Sequence, residues 1–351
     1  MHRAIALLLV LFHLLYAASA QTTEAELALE HASTVRTAAW SPDESRILTA
    51  EGNGTIHVWS AENGERLLRY NEDGNSATHA QWVGAGASIL SADEKGKVFL
   101  HDASDGSLLH SWKLTGIPIA LELNEAETLA LVFTDAGVGA VLSLADGATA
   151  GSFGLEGAIG GADWSADESL ARAWTESGRI HVWDVATGEK FDYSLPQRSM
   201  LLGLDWSADE TRLLAWFTNG AAQVYETDGR SVHGRAVSGV RHRSFVKRAI
   251  WSLDESMVMS WAGDDTVQIW AVDGAASQRV FRHDDWVIGA RWDDREERVL
   301  SWSHIYLYLW DDDETPRRFR HRNLVNGAVW NRAATQILSW SWDGTARVWR
   351  V

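Results

Sequence analysis

The sequence predicts an all-β fold, an eight-bladed β-propeller of four-stranded antiparallel blades, on three observations. First, one template recurs eight times: an aromatic residue, usually Ser-x-Asp-Glu after it, an apolar run, a turn, and a second aromatic nineteen residues on. The pairs are Trp40/Trp59, Trp82/His101, Leu123/Leu142, Trp164/Trp183, Trp206/Tyr225, Trp251/Trp270, Trp292/Trp310 (one residue shorter) and Trp330/Trp349. Second, successive first members lie 42, 41, 41, 42, 45, 41 and 38 residues apart, a period that marks a propeller blade when each unit holds four short strands. Third, the repeat explains the tryptophans. Of 20, seven sit at the first aromatic position, five at the second, and five more (Trp174, Trp216, Trp261, Trp302 and Trp340) ten residues after the first.

Taken in chain order, residues 1–20 read as a secretory signal: Arg3, an apolar core from Ile5 to Tyr16, and a small-x-small cleavage site at Ala18-Ser19-Ala20. The expected location is secreted or periplasmic, with cleavage after Ala20; an uncleaved anchor is the alternative. The apolar run is short for a bilayer span, so the mature chain, residues 21–351, is expected to be one domain with no membrane segment. The chain has no cysteine, which excludes a lipoprotein anchor, disulfides, thiolate metal sites and c-type haem.

The first repeat shows the element logic. Thr34 to Trp40 alternates and reads as the inner strand. Ser41-Pro42-Asp43-Glu44 is turn chemistry, because Pro presets φ while Ser and Asp bond local backbone. Arg46 to Ala50 is the second strand, Gly52-Asn53-Gly54 a tight hairpin, Thr55 to Trp59 the third strand, and Arg66 to Tyr70 the fourth. The first-position tryptophans are expected between neighbouring sheets. The set from Trp174 to Trp340 reads as an aromatic band between blades four to eight, or as a stacking platform near the channel mouth. Repeat three has no aromatic at either position, so seven blades plus a side hairpin is the competing arrangement.

Segments such as Gly178-Arg-Ile-His-Val-Trp183-Asp184 and Asp343-Gly-Thr-Ala-Arg-Val-Trp349 resemble the end of a WD40 repeat, and the likeness covers essentially all of residues 25–351. The chain thus resembles the WD40-repeat family, in an exported, bacterial setting. The resemblance implies a hydrogen-bonded set of His, Ser/Thr, Asp and Trp in each blade, which ties strands together and does no chemistry. Repeat six supplies His242, Ser260, Asp264 and Trp270, and repeat eight His321, Ser339, Asp343 and Trp349. Repeat one is close, with His31, Thr49, Asn53 and Trp59; repeat seven keeps His283, Ser301 and Trp310 but loses the Asp. Repeats two to five lack most of the set and are expected to lean on apolar packing. The resemblance also implies ring closure by a donated N-terminal strand. The last repeat stops at Val351 after its third strand, and residues 25–30 look like a fourth.

The charge is uneven. Residues 21–230 carry 13 Lys/Arg against 32 Asp/Glu, and residues 231–351 carry 17 against 16. This favours solubility in general, or an anionic partner for the later blades. Export and net acidity both oppose nucleic acid. Enzyme signatures are absent: no GxSxG, P-loop, HExxH or EF-hand loop occurs. Asp311-Asp312-Asp313-Glu314 reads as a solvated turn rather than a cation site, and His57 and His181 as surface histidines.

The loop entering each inner strand belongs to the top face in WD40 proteins, where partners dock. In repeats six to eight it places Phe245, Trp286 and Leu324 there, with Ile117 and Met200 as equivalents in repeats three and five. Trp342 reaches the same face. Arg241, Arg243, Lys247, Arg248, Arg282, Arg320 and Arg322 flank them. Aromatics beside arginine are the composition of interface hot spots. The candidate partner site is therefore Phe245, Trp286, Leu324, Trp342, Arg243, Arg282, Arg320 and Arg322; in the bland alternative the apolar groups plug the ring top and the arginines neutralise Asp284 and Asp285. The expected function is a non-enzymatic scaffold of the envelope or exterior that binds a protein or peptide, monomeric, with no cofactor and no metal. The alternatives are a carbohydrate- or polyanion-binding propeller and a quinone-dependent periplasmic dehydrogenase. For the last, Asp102-Ala-Ser-Asp-Gly106…Trp112 offers one faint motif.

Overall fold

The structure, a computed structural model, describes residues 24–71, 74–196, 198–274, 277–311 and 315–351. The leader and its cleavage site lie outside the described residues, as do Asp312, Asp313 and Glu314 of the acidic run. No described helix is long and apolar enough to cross a membrane.

Among the described residues, thirty-two strands form eight four-stranded antiparallel sheets. Seven sheets are consecutive in sequence, running inner, second, third, outer; blade 1 is Val35–Trp40, Arg46–Glu51, Ile56–Ser60 and Arg66–Tyr70. Blade 8 joins Val325–Trp330, Gln336–Ser341 and Thr345–Arg350 to the first strand of the chain, Leu27–Glu30. That strand pairs Leu27 with Val348 and Glu30 with Thr345. Each inner strand packs on the next, and the last packs on the first, so eight inner strands encircle a central space. Repeat three is a full blade, Pro118–Leu123 to Thr149–Gly154, which removes the seven-blade alternative.

The turn after each inner strand clasps the ring. Ser41 Oγ donates to Asp43 (2.6 Å) while the amide of Arg46 donates back to Ser41 Oγ (3.0 Å). Glu44 then sits at φ 58°, a left-handed conformation that costs a non-glycine residue energy. The same geometry recurs at Glu127, Glu168, Glu210, Glu255 and Glu296. In each case the glutamate accepts an amide of the preceding blade's turn, as in Ala166 N–H to Glu210 (2.8 Å) and Leu253 N–H to Glu296 (2.6 Å). Two interfaces lack this bond and use arginine instead. Between blades 1 and 2 the donor position is Pro42, which has no N–H, and the acceptor position is Gly86, which has no carboxylate. There Arg46 donates to Gly86 O (2.6 Å) and lies over the Trp82 ring (4.8 Å). Between blades 7 and 8, with Ala334 in the glutamate position, Arg298 donates to Ala334 O (2.6 Å) and covers Trp330.

The second-position rings Trp183, Trp270, Trp349 and Tyr225 are fully buried, and the first-position Trp82, Trp206 and Trp330 are buried between sheets. The set ten residues on forms the expected band between blades, as where Trp174 meets Trp206 of the next blade (centroids 6.1 Å apart) and Trp340 Nε1–H donates to Arg36 O of blade 1 (3.1 Å), and it is seated on its own blade as well. Trp174, Trp216, Trp302 and Trp340 each lie flat across the inner strand of their own blade, over Gly161, Gly203, Gly289 and Gly327. A Cβ on Gly203 would sit 2.1 Å from the Trp216 ring. Gly203→Ala is therefore expected to cost about 1–3 kcal/mol by overpacking. Urea denaturation checks this, and Trp216→Leu in the same chain should recover part of the loss.

Candidate functional site

Blades 6 and 8 carry the implied polar set in full and blades 1 and 7 carry part of it, with geometry that follows their sequences. In blade 8, Trp349 Nε1–H donates to Ser339 Oγ (2.8 Å), Ser339 meets His321 Nε2 (2.8 Å), and His321 Nδ1 lies 3.0 Å from Asp343. A neutral histidine makes this one continuous chain: indole to hydroxyl, hydroxyl to Nε2, and Nδ1–H to carboxylate. Blade 6 repeats it with Trp270, Ser260, His242 and Asp264, the last contact at 3.2 Å. In blade 1, Thr49 joins His31 and Trp59. In blade 7, His283 and Trp310 share Ser301, but the shortened hairpin brings no carboxylate to His283 Nδ1.

Burial pushes His31 and His283 down to about 4, and lowers His242 and His321 as well. The folded chain then stays neutral where the unfolded chain, near 6.5, takes up protons. Stability from these groups is full above about 6.5 and is lost as pH falls below it, toward about 4 for His31 and His283. Glu122 and Asp205 oppose this: burial raises both, so each gains stability as falling pH protonates it, Asp205 below about 6. A single-site comparison separates the two. Wild type should lose about 2 kcal/mol more than His283→Asn between pH 7 and pH 5. Equal losses in chemical denaturation at the two pH values would mean that His283 does not hold its neutral form.

Two sequence expectations need correction. His57 and His181 are buried, not surface, groups. His57 Nε2 pairs with buried Glu51 (2.8 Å), and His181 Nδ1 with Asp192 on the outer strand (2.8 Å). In blade 2, where Lys95 fills the usual Asp position, Asp93 caps the hairpin from two residues earlier, binding the amides of Lys95 and Lys97 and the side chain of Asn75. The signal was an Asp displaced by two residues within the same hairpin.

The top-face residues come together as two clusters. The loop entering the inner strand is bridged by backbone to the hairpin of its own blade: Gly263 N–H to Phe245 O (3.1 Å), Trp342 N–H to Leu324 O (2.9 Å), and the same at Met200 and Ile117. Phe245 and Trp286 meet edge to face across blades 6 and 7, with centroids 6.2 Å apart. Leu324 and Trp342 are brought together in blade 8 by their backbone bond. Trp286 is 62% exposed and Trp342 46%, whereas Leu324 is half-buried. These exposures do not fit plugs of the ring top. Arg243, Arg282, Arg320 and Arg322 are exposed, and none of their side chains makes an ion pair or hydrogen bond among the described residues. Asp284 is paired with Arg318 instead (3.0 Å). Arg241 donates to Asn219 O, and Lys247 and Arg248 line a cavity of the inner wall rather than the top. Asp311 pairs with Arg317 (3.1 Å). No group of three or more metal-ligating side chains occurs among the described residues.

Comparison with known proteins agrees with the architecture. Residues 25–60 match the family model described as WD domain, G-beta repeat. A 72-residue stretch, 20% of this chain, is 31% identical to the Periodic tryptophan protein 2 homolog of Caenorhabditis elegans and spans 8% of that protein's length. Among solved structures, the computationally designed Ika8 protein superposes with a TM-score of 0.77 at 19% identity, over 92% of this chain and 98% of that one. The C-terminal WD40 domain of Sif2 gives 0.78 at 15% identity, over 95% and 99%. Sqt1 of Saccharomyces cerevisiae gives 0.80 at 12% identity, over 94% and 100%. The chain is similar to WD40-repeat proteins, by sequence through its first blade and by fold through all eight.

Proposed function

We propose that this chain is a non-enzymatic binding scaffold of the cell envelope or exterior, and that a protein or peptide docks on the top face of blades 6 to 8. The WD40 propeller fold is commonly a protein-interaction scaffold. The observation that carries the reading is the exposed Phe245–Trp286 pair flanked by unpaired arginines. An indole left in water beside free guanidiniums does nothing for the fold, and it suits a partner with an apolar anchor and nearby carboxylates. The test is capture by the purified mature chain from envelope and culture fractions, beside the Trp286→Ala/Arg282→Glu variant. A protein retained by wild type and lost by the variant supports the reading; equal retention overturns the site. The same free arginines favour a polyanionic glycan as the second reading, which a glycan array separates.

A further inference from the structure

A second constellation lies away from the top face, on the inner wall of blades 6 and 7. Arg248 and Arg291 project from inner strands into the central space. They stand on the neighbouring inner strands Val246–Trp251 and Val287–Trp292 and line one cavity. Neither guanidinium makes a hydrogen bond or ion pair among the described residues. Burial, and then the charge of Arg248, bring Arg291 down to about 10. Both remain accessible to solvent. At the position of Arg248, four blades carry the glycine that seats a tryptophan, so a cation there is no requirement of the fold. Two like charges held together without partners cost stability. Glu122 and Asp205 offset this only from across the space or from the next blade.

The pair opens into a cavity of about 620 Å³, within the range of small-molecule sites. Trp251, Trp261, Trp292, Trp302 and Trp330, contributed by blades 6, 7 and 8, are among the residues that line it. Of the three carboxylates that line it, Asp293 is engaged by Arg298 (2.8 Å) and Glu296 by the Leu253 amide (2.6 Å), while Asp294 is exposed at its edge. Indole walls suit a ring, and paired guanidiniums suit an oxyanion. We propose that this cavity binds a sugar ring carrying one oxyanion, with Arg248 and Arg291 holding the anion and the tryptophans packing against the ring.

The shared chemistry has two sources, a carboxylate as in a uronic acid or a phosphate as in a sugar phosphate. The test is a titration of the purified chain, followed by tryptophan fluorescence and calorimetry. The probes are glucuronate, glucose 6-phosphate, glucose and inorganic phosphate. One or both acidic sugars should bind saturably, and at least tenfold more tightly than glucose or phosphate; which of them binds tells carboxylate from phosphate. Arg291→Gln and Arg248→Gln should each weaken that binding at least tenfold, while Arg235→Gln, exposed on the outermost strand of blade 5, leaves it unchanged. Without ligand, Arg291→Gln should melt no lower than wild type, because it removes one of two repelling charges. The proposal is overturned if no acidic sugar binds, if glucose or phosphate binds as well, or if both lumen variants retain wild-type affinity. A marked fall in the melting temperature of both unliganded variants would also overturn it, since the guanidiniums would then be structural.

Discussion

Removal of residues 24–31 lowers the melting temperature sharply and leaves the purified ring prone to association. The segment serves two blades at once. Its strand completes blade 8, with Leu29 opposite Ala346 and bonds from Glu26 N–H to Val348 O (2.7 Å) and from His31 N–H to Gly344 O (2.9 Å). Its last residue, His31, then enters the polar set of blade 1 through Thr49 (2.8 Å). Burying Leu29 is worth about 1.5–3 kcal/mol, and each backbone bond about 0.5–1.5 kcal/mol net. Together these approach the roughly 5–15 kcal/mol that holds a typical domain. The deletion also bares the Thr345–Arg350 edge, whose free amides and carbonyls template pairing with another chain. The measurement is a thermal melt followed by circular dichroism, with light scattering for association. A synthetic peptide of residues 24–31 should restore part of the loss when added in excess, because the site it fills is otherwise formed. An unchanged melt in the deleted chain would mean that the ring does not depend on this closure.

The blades were legible because their signals are local. An aromatic, a turn and a second aromatic at fixed spacing report strand, hairpin and strand without reference to any other part of the chain. The clasp between blades was half legible. Ser-x-Asp-Glu reads as a turn, but the role of Glu210 depends on an amide 44 residues away that only the neighbouring blade brings near. A trace of it stands in the sequence even so: Pro42 cannot donate, and its would-be partner Gly86 cannot accept. His57 was misread because an isolated polar residue in an alternating strand looks exposed, and its burial follows from Glu51 on the adjoining strand. Arg248 was read with the top-face arginines because its neighbours in sequence are there. Alternation along the inner strand turns it instead toward a space that exists only once the ring has closed. Local chemistry was therefore readable residue by residue, while whatever depends on closure was not.

Trp270→Ala and Trp286→Ala make the same substitution sixteen residues apart and should have opposite consequences. Trp270 is wholly buried, donates to Ser260 Oγ (3.2 Å) and packs with Val258, Leu214 and Trp216. Removing it leaves a cavity at the seam of blades 5 and 6 and takes the first donor from the chain that runs through Ser260 to His242. The expected cost is about 3–5 kcal/mol. Trp286 keeps most of its surface in water and touches Phe245 by an edge, so its loss should stay within about 0.5 kcal/mol. Urea denaturation of both variants beside wild type decides the matter. A stable Trp270→Ala would mean that the polar sets do not hold the blades together. A Trp286→Ala as unstable as Trp270→Ala would make that indole part of the core, and the top-face docking site would lose its anchor. A large difference in the expected sense leaves Trp286 with no structural work, so any partner lost on its removal is lost from contact with that side chain rather than through unfolding.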